Sequence, residues 1–248
     1  MKTKSFELPS KGYFYDSENP LSTGTLELRY MTASDEDILS DKQYAKKGET
    51  LDKLLHSVIT NPEVNLDTML VGDKAAAVVA TRIMAYGPKY TFTFTPPGQM
   101  SDSRKVTIDL TEINDKEIEF EKFNKTQKTF KHVLPISGDE IEFKLLRHSD
   151  QRDMRFETKK LKHSGGPSPT VTLRLKHQIV SVNGSNQDIG NYVNEMLARD
   201  SMSLRRYMDQ VSPDIDMVYE YENDTGGIDE VPIGLEPEFF FPSEMNTL

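Results

Sequence analysis

The stretch Met69-Leu70-Val71-Gly72-Asp73 recurs 127 positions later as Met196-Leu197-Ala198-Arg199-Asp200. Continued without a gap, Asp73–Phe94 lies on Asp200–Tyr221. In both copies an aspartate opens a helical stretch, and a proline (Pro88, Pro213) follows near its end. Alternation then sets in, with Tyr90, Phe92 and Phe94 in one copy and Met217, Tyr219 and Tyr221 in the other. A turn-rich segment and a second alternating run follow each: Val106-Thr-Ile-Asp-Leu110 and Val231-Pro-Ile-Gly-Leu235. Period-two apolar residues on both sides of a Gly/Pro/Asn/Asp loop spell a β-hairpin. Self-similarity at a fixed shift marks a duplicated unit.

Upstream of each copy lies a second pair of matches. Leu8-Pro9-Ser10-Lys11-Gly12 answers to Leu134-Pro135-Ile136-Ser137-Gly138. The strand-like run Leu26-Glu-Leu-Arg-Tyr-Met-Thr-Ala-Ser34-Asp35 answers to Ile141-Glu-Phe-Lys-Leu-Leu-Arg-His-Ser149-Asp150. Ser34 and Ser149 fit as helix N-caps, because a hydroxyl accepts from the free N–H groups of a first turn. Asp73 and Asp200 fit the same role. Capping outweighs a catalytic reading for them, since neither has a His or a second acid nearby in a pattern.

These matches predict an α+β fold, internally duplicated. Each half is a strand, small helices and a terminal hairpin, and the two hairpins pack on each other. The first repeat spans 1–110 with hairpin 90–110. Residues 111–132, highly charged, connect it to the second repeat, 133–248, with hairpin 217–235. The first half carries an extra loop, Tyr13–Thr23. The second carries an extra segment, roughly 154–169, whose Gly165-Gly166-Pro167-Ser168-Pro169 stretch reads as a flexible surface loop. Leu51, Leu54, Leu55, Val58 and Ile59 have helical spacing. In the second half 174–182 leans to helix, although Val171, Leu173 and Leu175 alternate like a strand.

Composition narrows the function. The chain has 248 residues, no Cys, no Trp and a net charge of −10. The absence of cysteine excludes disulfides, thiolate nucleophiles and Cys-ligated metals. The longest aliphatic run, Ala75–Ala80, is far short of the ~20 residues of a membrane span. The first residues have no apolar signal-peptide core, so the chain is expected to stay where it is made. After Arg206 there is no Lys or Arg, and eleven acidic residues carry the whole negative balance. Such a segment repels phosphate backbones, which argues against nucleic acid as a partner. It reads either as a solvated face or as a surface for a basic protein, with Asp224, Asp229 and Glu230 as the contact residues. Phe239-Phe240-Phe241 near the C-terminus either insert into a partner or pack back on the chain, as do the aromatics of Phe6–Tyr15. The five histidines (His56, His132, His148, His163, His177) show no metal spacing and read as surface residues. No nucleophile elbow, phosphate loop, dinucleotide fingerprint or metalloprotease motif occurs. No cofactor is expected.

The order of these motifs resembles the baseplate hub assembly proteins of T4-like contractile-tailed bacteriophages, which are related to tail assembly chaperone-like proteins. The resemblance spans nearly the whole chain. It rests on Leu8-Pro-Ser-Lys-Gly12, Tyr30-Met-Thr-Ala-Ser-Asp-Glu36, Leu70-x-x-Asp73, Ala85-Tyr-Gly-Pro-x-Tyr90 and Phe239-Phe-Phe-Pro242. Members of that family often carry a Cys pair at each hairpin tip, suited to one zinc ion. Here the tips read Thr95-Pro96-Pro97-Gly98 and Glu222-Asn223-Asp224-Thr225. The resemblance therefore implies a zinc-ribbon-like hairpin pair without metal, held by Tyr90, Phe92, Phe94, Tyr219 and Tyr221. It implies a non-enzymatic role in virion assembly, binding hub, tail-tube or tape-measure proteins in the host cytoplasm. The alternative is a permanent subunit of the virion baseplate. A hub-processing enzyme is the third class, and it lacks a recognisable motif.

Overall fold

The computed structural model describes residues 2–96, 103–163, 169–223 and 226–241. The first half opens with strand β1 (Thr3–Glu7), paired antiparallel with β2 (Thr25–Arg29). The Leu8 N–H donates to the Gly24 carbonyl at 2.8 Å and closes that hairpin. Three short helices follow: α1 (Ala33–Ser40), α2 (Lys42–Lys47) and α3 (Thr50–Val58). Leu54, Leu55 and Val58 of α3 are buried, as their spacing requires. Helix α4 (Val71–Tyr86) then runs through the core, and β3 (Lys89–Phe94) and β4 (Arg104–Asp109) form the first hairpin.

The second half runs in a similar order. β5 (Thr129–Val133) and β6 (Glu140–Lys144) pair antiparallel. Helices α5 (His148–His163) and α6 (Thr170–Gln178) lead into β7 (Ile179–Val182), which adds to β6. Then come α7 (Ile189–Glu195), α8 (Ala198–Val211) and the hairpin β8 (Val218–Glu222) and β9 (Ile228–Pro232). The fold is mixed α+β, with helices set among small antiparallel sheets. Among the described residues no helix is long and apolar enough to cross a membrane.

Several expectations are corrected. Helix α4 starts at Val71 and α8 at Ala198, with Leu70 and Leu197 at their N-caps. Asp73 and Asp200 are therefore the third helical residues, and their carboxylates look outward to other segments. Ser34 and Ser149 lie inside α1 and α5; Thr32 is the N-cap of α1. The carboxylates at the third helical position do the closing: Asp35 accepts from the Thr32 N–H at 2.8 Å and Asp150 from the Arg147 N–H at 3.0 Å. Aspartate competes well here because it reaches back to the free N–H while lying at the positive end of the helix. Helix α5 takes up residues 154–163 of the extra segment, and residues 164–168, which hold most of the stretch read as a loop, lie outside the described residues. Strand β5 begins inside the segment read as a connector, and β9 begins three residues before Val231. The earlier start follows from a tight turn: the Asn223 side chain accepts from the Gly227 N–H at 2.9 Å, and Gly226 takes the left-handed conformation that glycine tolerates. Helix holds for 174–178, and Ile179–Val182 is strand. The helix ends as β7 enters the ladder beside β6.

One hydrophobic core unites both halves. The Val71 N–H donates to the Leu146 carbonyl, and the His148 N–H donates to the Met69 carbonyl at 2.8 Å. Gly72 permits the closest approach, since a Cβ there would lie 2.0 Å from the Pro213 carbonyl oxygen. The segment after the first hairpin runs beside the second half, with Lys116 N–H on the Asp214 carbonyl and Asp216 N–H on the Asn114 carbonyl, both at 2.9 Å.

Candidate functional site

Two buried aspartates hold the Leu-Pro turns. The Asp73 carboxylate accepts from the Ser10 N–H at 3.0 Å and the Tyr15 hydroxyl at 2.6 Å. The Tyr15 oxygen in turn accepts from the Leu70 N–H at 2.9 Å. Burial pushes the Asp73 carboxyl up, against the pull of the Tyr15 and Ser10 hydrogen bonds. Burial and the neighbouring Asp73 charge push the Tyr15 phenol up as well. Asp200 accepts from the Ile136 N–H at 2.8 Å and the Ser137 N–H at 3.1 Å. Every lone pair so engaged faces a fixed donor, which suits a structural clasp. The extra loop Tyr13–Thr23 supplies Phe14 and Tyr15 to the core, both almost fully buried.

Between the halves lies a cleft of about 730 Å³. Its walls include Leu51, Asp52, Lys74 and Val78 from the first half, Arg155 from α5, and Met217, Ile233 and Phe241 from the C-terminal region. Asp52 gathers three basic side chains: Lys74 by a short hydrogen bond, the His148 Nε2 at 3.3 Å and the Arg155 guanidinium at 3.4 Å. Lys74 Nζ also lies 3.0 Å from His148 Nδ1. One tautomer satisfies both ring contacts, with Nε2–H donating to Asp52 and Nδ1 accepting from Lys74. Burial raises the Asp52 carboxyl. The His148 hydrogen bond and the Lys74 charge outweigh that and hold it well below the usual carboxylate range. Burial lowers the Lys74 amine, and Asp52 offsets part of that. A lone buried ammonium is costly, so the pairing with Asp52 is what makes Lys74 tolerable at this depth. Asp52 and Lys74 come from the first half, His148 and Arg155 from the second. The cluster ties the halves together, with one carboxylate shared among three basic side chains.

The sequence reading missed this cluster. His148 is buried, not a surface histidine. A signal existed: Lys74 immediately precedes the Ala75–Ala80 run of a helix buried nearly all round, and a lysine there requires a counterion.

The remaining expected contact residues separate sharply. Phe239 and Phe240 are almost fully buried, so their reading as partner-binding groups is corrected. Phe239 meets the Tyr90 ring at 4.7 Å, and its carbonyl accepts from Arg82 at 3.2 Å. Burying two phenyl groups stabilises the fold more strongly than leaving them on a short tail. Phe241 is half-buried on the cleft wall. Asp229 and Glu230 are exposed on β9; Asp224 lies outside the described residues.

The two hairpins meet through rings. Tyr219 lies 5.6 Å from Phe92 and 5.7 Å from Phe94, and Tyr221 lies 4.6 Å from Phe94. Aromatic pairs of this geometry contribute about 0.5–1.5 kcal/mol each beyond area burial. Among the described residues no three His, Asp or Glu side chains gather as a metal site. Pro97, Gly98, Asp224 and Thr225 of the expected tips lie outside the described residues. Comparison with known proteins found no matching family model, no matching curated protein and no matching solved structure.

Proposed function

We propose that the chain is a non-enzymatic assembly protein of a bacteriophage tail baseplate hub. It binds hub, tail-tube or tape-measure proteins in the host cytoplasm while the virion is built. One observation carries the reading. The motifs behind the resemblance are mechanically joined: Leu8-Pro-Ser-Lys-Gly12 is clasped by the Asp73 of Leu70-x-x-Asp73, and Asp200 clasps Ile136 and Ser137 in the same manner. We read the two clasped halves as copies of one duplicated unit, 1–110 and 133–248. The ring-packed hairpins are, on this reading, a zinc ribbon that has exchanged its metal for aromatic contacts. The Asp52 cluster supports a scaffolding role, since its lysine, histidine and arginine all engage one fixed carboxylate. Asp224, Asp229 and Glu230 serve as contacts for a basic partner.

The test is a pull-down from infected-cell lysate across a salt series, with wild-type chain and with Asp224, Asp229 and Glu230 neutralised. Hub or tail components should be recovered by the wild type and less so by the variant, and the difference should shrink as salt screens the attraction. Equal recovery by both chains at every salt concentration refutes the acidic contact. Recovery of no tail component refutes the role. Mass spectrometry of purified particles separates the assembly role from the alternative, a permanent baseplate subunit, which must be present there in stoichiometric amount.

A further inference from the structure

The β8–β9 hairpin has two faces. Tyr219 and Tyr221 point to the first hairpin. The opposite face carries Val218, Glu220 and Glu222 on β8, and register places Glu220 directly across from Glu230 and Glu222 across from Ile228. Like charges directly opposed on a ladder destabilise it. No ion pair reaches Glu220, Glu222 or Glu230 within the described residues. Ile228 is nonetheless 71% exposed and Val218 38% exposed on this same face. A two-stranded sheet is marginal by itself, and the ring contacts to the first hairpin cover only one face of this one.

A face of opposite character lies on the same chain. Helix α5 exposes Phe156 to 60%, with the Lys160 ammonium 4.4 Å above its ring. Lys159 reaches the Lys47 carbonyl at 3.0 Å, which brings α5 beside the exposed lysines, Lys46 and Lys47, at the end of α2. Acids are present on α5 too, but Glu157 faces His177 at 3.1 Å and Asp153 lies 3.8 Å from Arg152.

We propose that these faces are complementary and that their occupant is a second copy of this chain: the outer face of β8–β9 docks on the α5–α2 face of another protomer. Ile228 and Phe156 meet as apolar centres, and Glu220 and Glu230 face Lys46 and Lys47. A contact between two different patches is heterologous unless a two-fold axis makes it twice. The inference deepens the reading of the acidic region as a docking surface by naming what covers it in the free protein.

Sedimentation of the purified full chain tests it. Self-association should weaken about tenfold or more as salt rises and the screening length falls from about 30 Å to about 3 Å. The pair Glu220→Lys with Glu230→Lys should lose the association, as should Lys46→Glu with Lys47→Glu. Mixing the two variants should restore it, because each now supplies the face the other lacks. Circular dichroism checks that both remain folded, as exposed positions allow. A chain monomeric at every salt concentration, an association indifferent to either reversal, or a mixture that fails to recover overturns the proposal. Its failure is distinct from that of the baseplate reading: a monomer that still captures tail components loses this inference alone, and a self-associating chain that captures none loses only the other.

Discussion

Replacing Asp73 by alanine should cost far more than the same change at Asp200, although the two residues occupy matching places. Asp73→Ala leaves the Ser10 N–H and the Tyr15 hydroxyl without their acceptor, and both residues are almost fully buried. A buried donor left unpaired costs about 1–3 kcal/mol, so the pair costs about 4 kcal/mol. Asp200→Ala frees the Ile136 and Ser137 N–H groups, but those residues are exposed and water replaces the carboxylate. The cost there is about 1 kcal/mol. With a urea dependence of about 3 kcal/mol per molar, the Asp73 variant should unfold more than about 1 M earlier than wild type. The Asp200 variant should shift by about a quarter as much. Tyr15→Phe removes the other partner and orphans the Leu70 N–H, so a double-mutant cycle with Asp73→Ala should show a coupling of about 1–3 kcal/mol. Urea denaturation followed by circular dichroism measures all four chains. Equal midpoints for Asp73→Ala and Asp200→Ala, or strict additivity with Tyr15→Phe, would refute the account of Asp73 as a buried clasp.

Gly72→Ala should destabilise by about 1–3 kcal/mol, because its Cβ would collide with the Pro213 carbonyl and the Asp214 Cα; Gly190→Ala, with nothing within 4 Å, is the control and should be neutral or better in thermal melts. Asp35 is held well below the usual carboxylate range: burial raises it, but the Arg29 fork and the Ser57 and Thr32 hydrogen bonds outweigh that. Its contribution is therefore present above the unfolded value of about 3.9 and lost as pH falls through the lower folded value, so Asp35→Asn should flatten the decline in stability on acidification below about pH 4. An unchanged acid profile counts against that. Phe240→Ala should cost about 3–5 kcal/mol and Ile228→Ala within about 0.5 kcal/mol, since one ring is fully buried and the other side chain is mostly exposed; melts that reverse this order contradict the burial of the C-terminal aromatics.

What could be read from the residues followed strong local periodicity. Leu51, Leu54, Leu55 and Val58 specify α3, and the alternation of Tyr90, Phe92 and Phe94 specifies β3, because each pattern fits only one backbone period. The Met-Leu-x-x-Asp recurrence located α4 and α8 but misassigned the aspartates. A helix boundary shifts by residues without changing the pattern, and the acceptor's true partners lie 63 and 64 positions away in sequence. Strand β1 has no apolar alternation, with only Phe6 apolar in Thr3–Glu7, and is set by pairing with β2. Helix α5 was obscured by the adjoining Gly165-Gly166-Pro167. The Asp52 cluster needs four residues from three helices, a coincidence that no single window of sequence contains.

The contact between Arg82 and Phe239 spans 157 positions of chain. Synthesis proceeds at about 5–20 residues per second, so α4 leaves the ribosome on the order of ten seconds before the phenylalanines that cover it. During that interval the apolar surface meant for Phe239 and Phe240 is open to other occupants. The half that emerges first is thus completed by residues made well after it. Slowing translation across the second half lengthens the window in which a nascent chain is vulnerable to aggregation, while the same substitution of slow codons ahead of α4 leaves that window unchanged.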